Sequence, residues 1–325
     1  MKKEKQASFI SQHPPYGLKG YLDSWTNISG ILEYEISPGI AKENFFQDWD
    51  YDYLMYDPPK YFWQNQVIKK IPADAVFGCA PFVYGEALNT VFFNDDEKVD
   101  MVFLPRSDWS TFLDENKKQE IIDALNEFEF DDDTYYITFP PDLAFWKQVI
   151  PKNLYKIAEA QYDDRWGEQL IRLMKKAKTV YCPMFCSTTL YATWCGAKTR
   201  FYDERKIHIK EPTLIEQDIH KHYSPQDKDE EWNRGMKYIQ EIYSDDTLSD
   251  EKKYLTYQFF SLDLAEKPWD LYQKLRSLNE RVEEIDYKIP EYNIRTDDCF
   301  YDLKDHIRKY ECEPSKEIFE FFSKL

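Results

Sequence analysis

The chain has 325 residues, with 42 Lys and Arg against 60 Asp and Glu and a formal charge of −18. That length accommodates two domains with full cores, and 25 Tyr, 22 Phe and 9 Trp beside only 9 Gly exclude a linker-rich or disordered chain. The acidic balance disfavours nonspecific nucleic-acid binding, and neither a membrane-length apolar run nor a signal-peptide apolar region is found, so a soluble, cytoplasmic protein without stable membrane insertion is expected.

Strand-like and helix-like segments alternate from the first residues, the pattern of an α/β protein with mostly parallel sheets. Strands are predicted at Ala7 to Gln12, Ile31 to Ile36, Tyr51 to Tyr56 and Ala75 to Cys79. Helices are predicted through Trp25, at Ala41 to Trp49 and at Lys60 to Ile71. The acidic turn Asn94-Asp95-Asp96-Glu97 closes this first unit, and the alternation restarts. Strands at Val99 to Leu104, Thr134 to Phe139 and Leu154 to Ala158 interleave with helices at Lys117 to Phe128, Leu143 to Val149 and Arg165 to Lys176. Beyond Asp203 the pattern becomes long polar and aromatic helices, at Asp229 to Tyr243, Ser249 to Leu264, Pro268 to Val282 and Pro314 to Leu325. The expected division is 1–95, an N-terminal Rossmann-like domain; 96–280, a second such domain; and 281–325, a helical tail. Two open α/β domains of this kind place their ligand crevice at the carboxyl ends of both sheets, facing each other across a cleft.

The stretch from Thr179 to Asp203 reads as strand, small polar turn, helix, Gly, strand. Thr179 to Cys182 is β-branched and aromatic, Ser187-Thr188-Thr189 offers capping hydroxyls, and Gly196 ends the apolar helix. A helix entered in this way presents N–H groups, hydroxyls and the positive end of its dipole to an anion. From residue 165 to 210 ten Lys or Arg stand against three acids, a local +7 in a chain whose remainder carries −25. Lys175, Lys176 and Lys178 read equally as a solvated helix face, whereas Arg165 and Arg200 lie nearer the strand ends. Six cysteines are scattered as free buried thiols would be. Cys182-x3-Cys186, His220-x-His222 and Asp50-Tyr51-Asp52 do not make a convincing metal site.

The run Asp163-Asp164-Arg165-Trp166 to Leu173, the following strand, the Ser-Thr-Thr turn and Tyr191-Ala192 to Gly196-Ala197-Lys198 together resemble the nucleotide-sugar half of GT-B glycosyltransferases. The likeness is to bacterial and phage enzymes of the surface-polysaccharide type, and Ser249 to Leu275 is similar to the C-terminal helices of that group. Where many such transferases carry a His-Pro pair, this chain reads Phe139-Pro140-Pro141-Asp142. The resemblance implies a nucleoside diphosphate sugar, with a UDP-sugar as the expected donor, bound by the second domain, and a hydroxyl acceptor entering from the first. It implies that Ser187, Thr188 and Thr189 take the diphosphate and that Arg106, with Ser107 beside it, Arg165 or Arg200 offset its charge. Asp164 or Asp163 would meet the ribose hydroxyls or pair with Arg165, and no metal or other cofactor is needed. An inverting transfer requires a general base on the acceptor side. His13 leads, followed by Glu86 and Asp57.

The acceptor implied is a surface or lipid-linked glycan, or a hydroxylated base of the 5-hydroxymethylcytosine type in phage DNA, since the compact, aromatic-rich chain has the look of a phage gene product. The setting would then be the cytoplasm of a bacterium or of a phage-infected cell. Two other readings stay open: a sugar-nucleotide epimerase or hydrolase on the same scaffold, and a non-catalytic nucleotide-binding scaffold protein.

Overall fold

The structure, a computed structural model, describes residues 18–26, 35–36, 60–62, 75–88, 98–105, 115–138, 143–150, 154–156, 166–202, 230–277 and 307–308. It is an α/β protein with two parallel sheets, and its contacts divide the chain into two units. The first comprises Met1–Phe93, Ala160–Ile171 and Leu248–Leu325; the second comprises Asn94–Glu159 and Arg172–Thr247.

In the first unit the strands β1 (Glu35–Ile36), β2 (Lys60–Phe62) and β3 (Ala75–Phe77) lie in that order, all parallel. The helix expected to begin at Lys60 is therefore a strand over Lys60–Phe62. Its aromatic residues suit a pleated, buried surface, and Tyr61 is fully buried with its hydroxyl donating to the Cys79 carbonyl at 2.8 Å. Two helices, α1 (Leu18–Thr26) and α2 (Pro81–Leu88), pack on each other. Residues 81–88, for which the sequence predicts no helix, form α2. Pro81 occupies the first helical position, where its missing N–H costs nothing, and Phe82, Val83 and Tyr84 are fully buried. Gly85 is there for space: a Cβ on it would lie 2.1 Å from the Tyr21 ring of α1.

Further helices complete this unit from far along the chain: α8 (Asp250–Phe260), a short 3₁₀ turn (Leu262–Leu264) and α9 (Pro268–Ser277). Ser249 caps α8 by accepting the Lys252 N–H. The sequence placed these helices in the 96–280 domain; their contacts group them with the first unit. The Ala80 N–H donates to the Phe260 carbonyl at 2.8 Å, the Trp25 indole to the Glu266 carbonyl at 3.0 Å, and the Glu266 N–H to the Tyr84 hydroxyl at 2.9 Å. Lys274 bonds the Phe77 carbonyl at 2.8 Å and pairs with Glu266 at 2.7 Å. Two buried aromatic side chains thus satisfy both backbone groups of Glu266, so residues 250–277 belong with 18–88.

The second unit carries β4 (Val99–Phe103), α3 (Glu115–Leu125), β5 (Tyr135–Thr138), α4 (Leu143–Val149) and β6 (Leu154–Lys156) in alternation. Helix α5 (Trp166–Lys176), in which the chain passes from the first unit to the second, leads into β7 (Ala177–Cys182), α6 (Ser187–Trp194), β8 (Lys198–Phe201) and, later, α7 (Glu230–Ser244). The strands are all parallel in the order β6-β5-β4-β7-β8. The first three strands therefore run outward to one side of β4 and the last two to the other. Val102, Leu104, Ile121, Leu125, Trp146 and Tyr202 form a contiguous core around β4. Gly196 ends α6 with φ +82°, and the Ala197 N–H reaches the Ala192 carbonyl at 2.9 Å, the hydrogen-bond pattern of a Schellman cap.

Among the described residues no helix is long and apolar enough to cross a membrane. The strands expected at Ala7 to Gln12 and Tyr51 to Tyr56 and the helices at Ala41 to Trp49 and Pro314 to Leu325 lie outside the described residues.

Gly85→Ala should destabilise the protein by about 1–3 kcal/mol in urea melts, as overpacking does, although Ala is the better helix former. A second change, Tyr21→Ala, should remove most of that penalty, and additive behaviour of the pair would refute the close approach.

Candidate functional site

An order reversal in a parallel sheet leaves a crevice between the two strands from which the chain departs in opposite directions, and ligands bind outside their carboxyl ends. Here those strands are β4 and β7. The described chain after β4 runs to Leu104-Pro105, and after β7 it runs through Pro183-Met184-Phe185-Cys186 into α6. Phe185 anchors this turn. It is 2% exposed, and its ring lies 4.8 Å from that of Tyr243 on α7.

The residue that caps α6 is Cys186, not one of the three hydroxyl residues that follow it. Cys186 has extended backbone angles, and its carbonyl accepts the Thr189 N–H at 2.9 Å. Its side chain also accepts the Thr189 N–H. The Cys186 N–H returns a bond to the Thr189 hydroxyl at 3.3 Å, which closes a reciprocal capping box with a cysteine in the place of serine. Ser187, Thr188 and Thr189 are thus the first three residues of the helix proper.

This arrangement sets the charge of the turn. The Cys182 hydrogen bond, assisted by the Thr189 and Thr188 N–H groups and the Thr188 hydroxyl, outweighs burial and pulls the Cys186 thiol down to about 6 from an ordinary 9.0. Cys182 is pushed well up, first by serving as donor to Cys186 and then by its own burial. The pair thus favours negative charge on Cys186 over Cys182. Beneath them Tyr202, which follows β8, donates its N–H to the Cys182 carbonyl at 3.0 Å and its hydroxyl to the Phe103 carbonyl. Burial, and then the two cysteines, push the Tyr202 hydroxyl well above its usual value, so it stays a donor.

The expected site residues fare differently. Ser187 and Thr188 are half-buried at the start of α6, under the carboxyl end of β7. Thr189 is fully buried with its hydroxyl turned to the Cys186 backbone, so it shapes the turn and is not presented to a ligand. Arg200 is directed elsewhere: its guanidinium bonds the Thr199 and Ser244 carbonyls at 2.8 and 2.7 Å and Asp246 at 2.6 Å. Lys198 joins the same carboxylate at 2.7 Å, and the two cations, Lys198 first, hold Asp246 down at about 2. Two of the ten cations in the basic stretch thus serve the carboxyl end of α7. Glu86 lies half-buried within α2, not on a loop after a strand. Phe82 and Tyr84 are core residues. His13, Asp57, Arg106, Ser107, Asp164 and Arg165 lie outside the described residues, as do Asp50, Asp52, His220 and His222. Among the described residues no three His, Cys, Asp or Glu side chains gather as a metal site would require.

Cys186, Cys182 and Tyr202 were not anticipated as site residues. The signal was the Cys182-x3-Cys186 spacing itself: it puts one thiol at a strand end and the other at the following helix cap. No family model, curated protein or solved structure matches this chain.

Because the folded state lowers the Cys186 pKa, the thiolate contributes stability that is fully present above about pH 9 and is lost as pH falls through about 6. Urea melts from pH 6 to 9 should show wild-type stability rising relative to Cys186→Ser by roughly 2–4 kcal/mol. A pH-independent difference between the two proteins would overturn the assignment of charge to Cys186.

Proposed function

We propose that this chain is a glycosyltransferase that binds a nucleoside diphosphate sugar, a UDP-sugar first, at the carboxyl ends of β4 and β7 and passes the sugar to a hydroxyl acceptor without a metal ion. The observation that supports it best is the order reversal between β4 and β7 with the amino end of α6 directly after β7. In this reading the second unit takes the donor and the first the acceptor, with the resemblance of 163–198 to GT-B enzymes as the supporting likeness. Ser187 and Thr188 contribute hydroxyls to the diphosphate, and Arg106, next in the chain after Pro105, and Arg165 offset its charge. Ser107 lies beside Arg106, and Asp164 meets the ribose. His13 is the proposed general base, ahead of Glu86 and Asp57. The acceptor is a glycan hydroxyl or a hydroxylated DNA base.

The thiolate of Cys186 adds a physical consequence. It already occupies the Thr188 and Thr189 N–H groups, so a diphosphate drawn to the same helix end meets a negative charge. Binding the donor then favours the protonated thiol, and affinity should fall as pH rises through about 6 toward 8.

Thermal shifts with UDP-, GDP-, TDP- and CMP-sugars test the proposal, since a ligand at a hundred times its Kd stabilises by about 2.7 kcal/mol. A shift with one diphosphate sugar is expected, diminished in Ser187→Ala/Thr188→Val and less pH-dependent in Cys186→Ser. Turnover of the sugar without acceptor would point to an epimerase or hydrolase instead. No shift with any donor would overturn the reading.

A further inference from the structure

We propose that the amino-end edge of the second unit's sheet binds the same edge of a second copy of this chain, making a two-fold, salt-sensitive dimer. This does not depend on the proposed glycosyl transfer, whose donor crevice lies at the opposite, carboxyl ends of the strands.

In a parallel sheet every strand begins at the same edge, so the residues just ahead of the strands share one surface. Here that surface is divided by charge. Ahead of β5 the chain reads Glu127-Phe128-Glu129-Phe130-Asp131-Asp132-Asp133, and all five acids are exposed. The alternation has a structural cause. Phe128 and Phe130 turn inward, stack at 5.8 Å and meet the Tyr181 ring of β7 at 5.2 and 4.9 Å. The Thr134 N–H then closes a turn on the Asp131 carbonyl at 3.0 Å, and β5 follows. Two packed rings thus pin the segment, which keeps its charges at the edge.

On the other side of β4 the same edge is basic. Lys98 directly precedes β4, Lys175 and Lys176 end α5 just before β7, Lys178 is the second residue of β7, and Lys198 opens β8. Lys98, Lys178 and Lys198 are exposed. Lys98 is held between β4 and β7, donating to the Lys175 carbonyl at 2.6 Å. Lys176 marks the border with the acidic half, its ammonium 5.3 Å from the centre of the Tyr135 ring at the start of β5. Three acids intrude on the basic half. Asp100 is half-buried on β4, and Asp245 and Asp246 lie at the β8 margin, where Lys198 and Arg200 match Asp246.

A surface with one acidic and one basic half complements itself. A two-fold axis through the border at β4, perpendicular to the line joining the halves, lays the acidic segment of each copy on the lysines of the other. Every attraction is then made twice. A polyanion such as nucleic acid would meet the lysines but be repelled by the five acids beside them, and a basic partner would meet the reverse. Five strands about 4.8 Å apart, with a helical layer about 10 Å thick on each face, give an edge of about 24 by 25 Å. Two such edges bury roughly 1,200 Å², the lower limit of a specific interface, so the pairing is reversible. Each copy carries −18 overall and repels the other at a distance. At about 0.1 M salt the Debye length is about 10 Å, so the charges of the edge itself dominate, and at about 1 M it is about 3 Å and these too are screened.

Sedimentation velocity of the full chain over a concentration series, in about 0.1 M and about 1 M sodium chloride, tests the proposal. A dimer is expected at the lower salt, with its Kd weakened about tenfold or more at the higher. Lys98→Glu/Lys178→Glu nearly cancels the charge of the basic half, and Glu129→Lys/Asp133→Lys does the same for the acidic half. Each variant should melt in urea like the wild type but self-associate about tenfold or more weakly. Mixed together, they bring the intact acidic half of one to the intact lysines of the other. The mixture should therefore associate more tightly than either variant alone and less tightly than the wild type. A wild type that stays monomeric at low salt, a dimer indifferent to salt, variants that dimerise like the wild type, or a mixture no tighter than its components would overturn the proposal. Retention of a wild-type monomer on heparin would assign the lysines to a polyanion instead.

Discussion

The Tyr202 hydroxyl on the Phe103 carbonyl is the interaction around which the second unit's carboxyl-end face is organised. In a parallel sheet the last carbonyls of each strand have no partner of their own, and a buried unpaired carbonyl costs about as much as a lost hydrogen bond. Tyr202 leaves β8 and reaches past β7 to the end of β4, and its own N–H serves the Cys182 carbonyl on the way. One fully packed ring thereby holds three strand ends at a common level. The chain between β7 and α6 is then short, and the first residue able to cap the helix is the one that sits beside Cys182. The charge on Cys186 is thus a product of sheet geometry before it is a property of a cysteine.

The first unit uses the same economy with different groups. Trp25 and Tyr84, whose rings lie 5.2 Å apart, take the carbonyl and the N–H of Glu266, while the Lys274 pair with Glu266 covers the carboxyl end of β3 at Phe77. Aromatic residues with a polar tip suit this task, because they fill a core and end on a backbone group.

Periodicity made the second unit legible. The stretch from β7 to β8 combines a β-branched strand, an apolar helix and a Gly stop, and each signal is local in sequence. What escaped was set by tertiary contact. Lys60–Phe62 has a composition that suits helix or strand alike, and only the Tyr61 bond to Cys79 and pairing on both sides decide it. The helix over 81–88 escaped because the Tyr21 ring that fits against Gly85 is some sixty residues away in the chain. Ser187 to Thr189 were natural capping residues by type, yet the cap is set by where Cys182 ends its strand. Arg200 had the right charge in the right stretch, and the helix end that claims it lies beyond residue 229.

The partnership of residues 18–88 with 248–277 also bears on how the chain is made. A ribosome adds about 5–20 residues per second, so Trp25 and Tyr84 emerge roughly ten to fifty seconds before Glu266 exists to receive them. The residues of the second unit are all present by Thr247, before that partner arrives. For that interval the aromatic faces of α1 and α2 have no permanent cover, and the pairing that ends the wait closes one of the longest loops in the molecule. The first unit to be synthesised is the last to be finished.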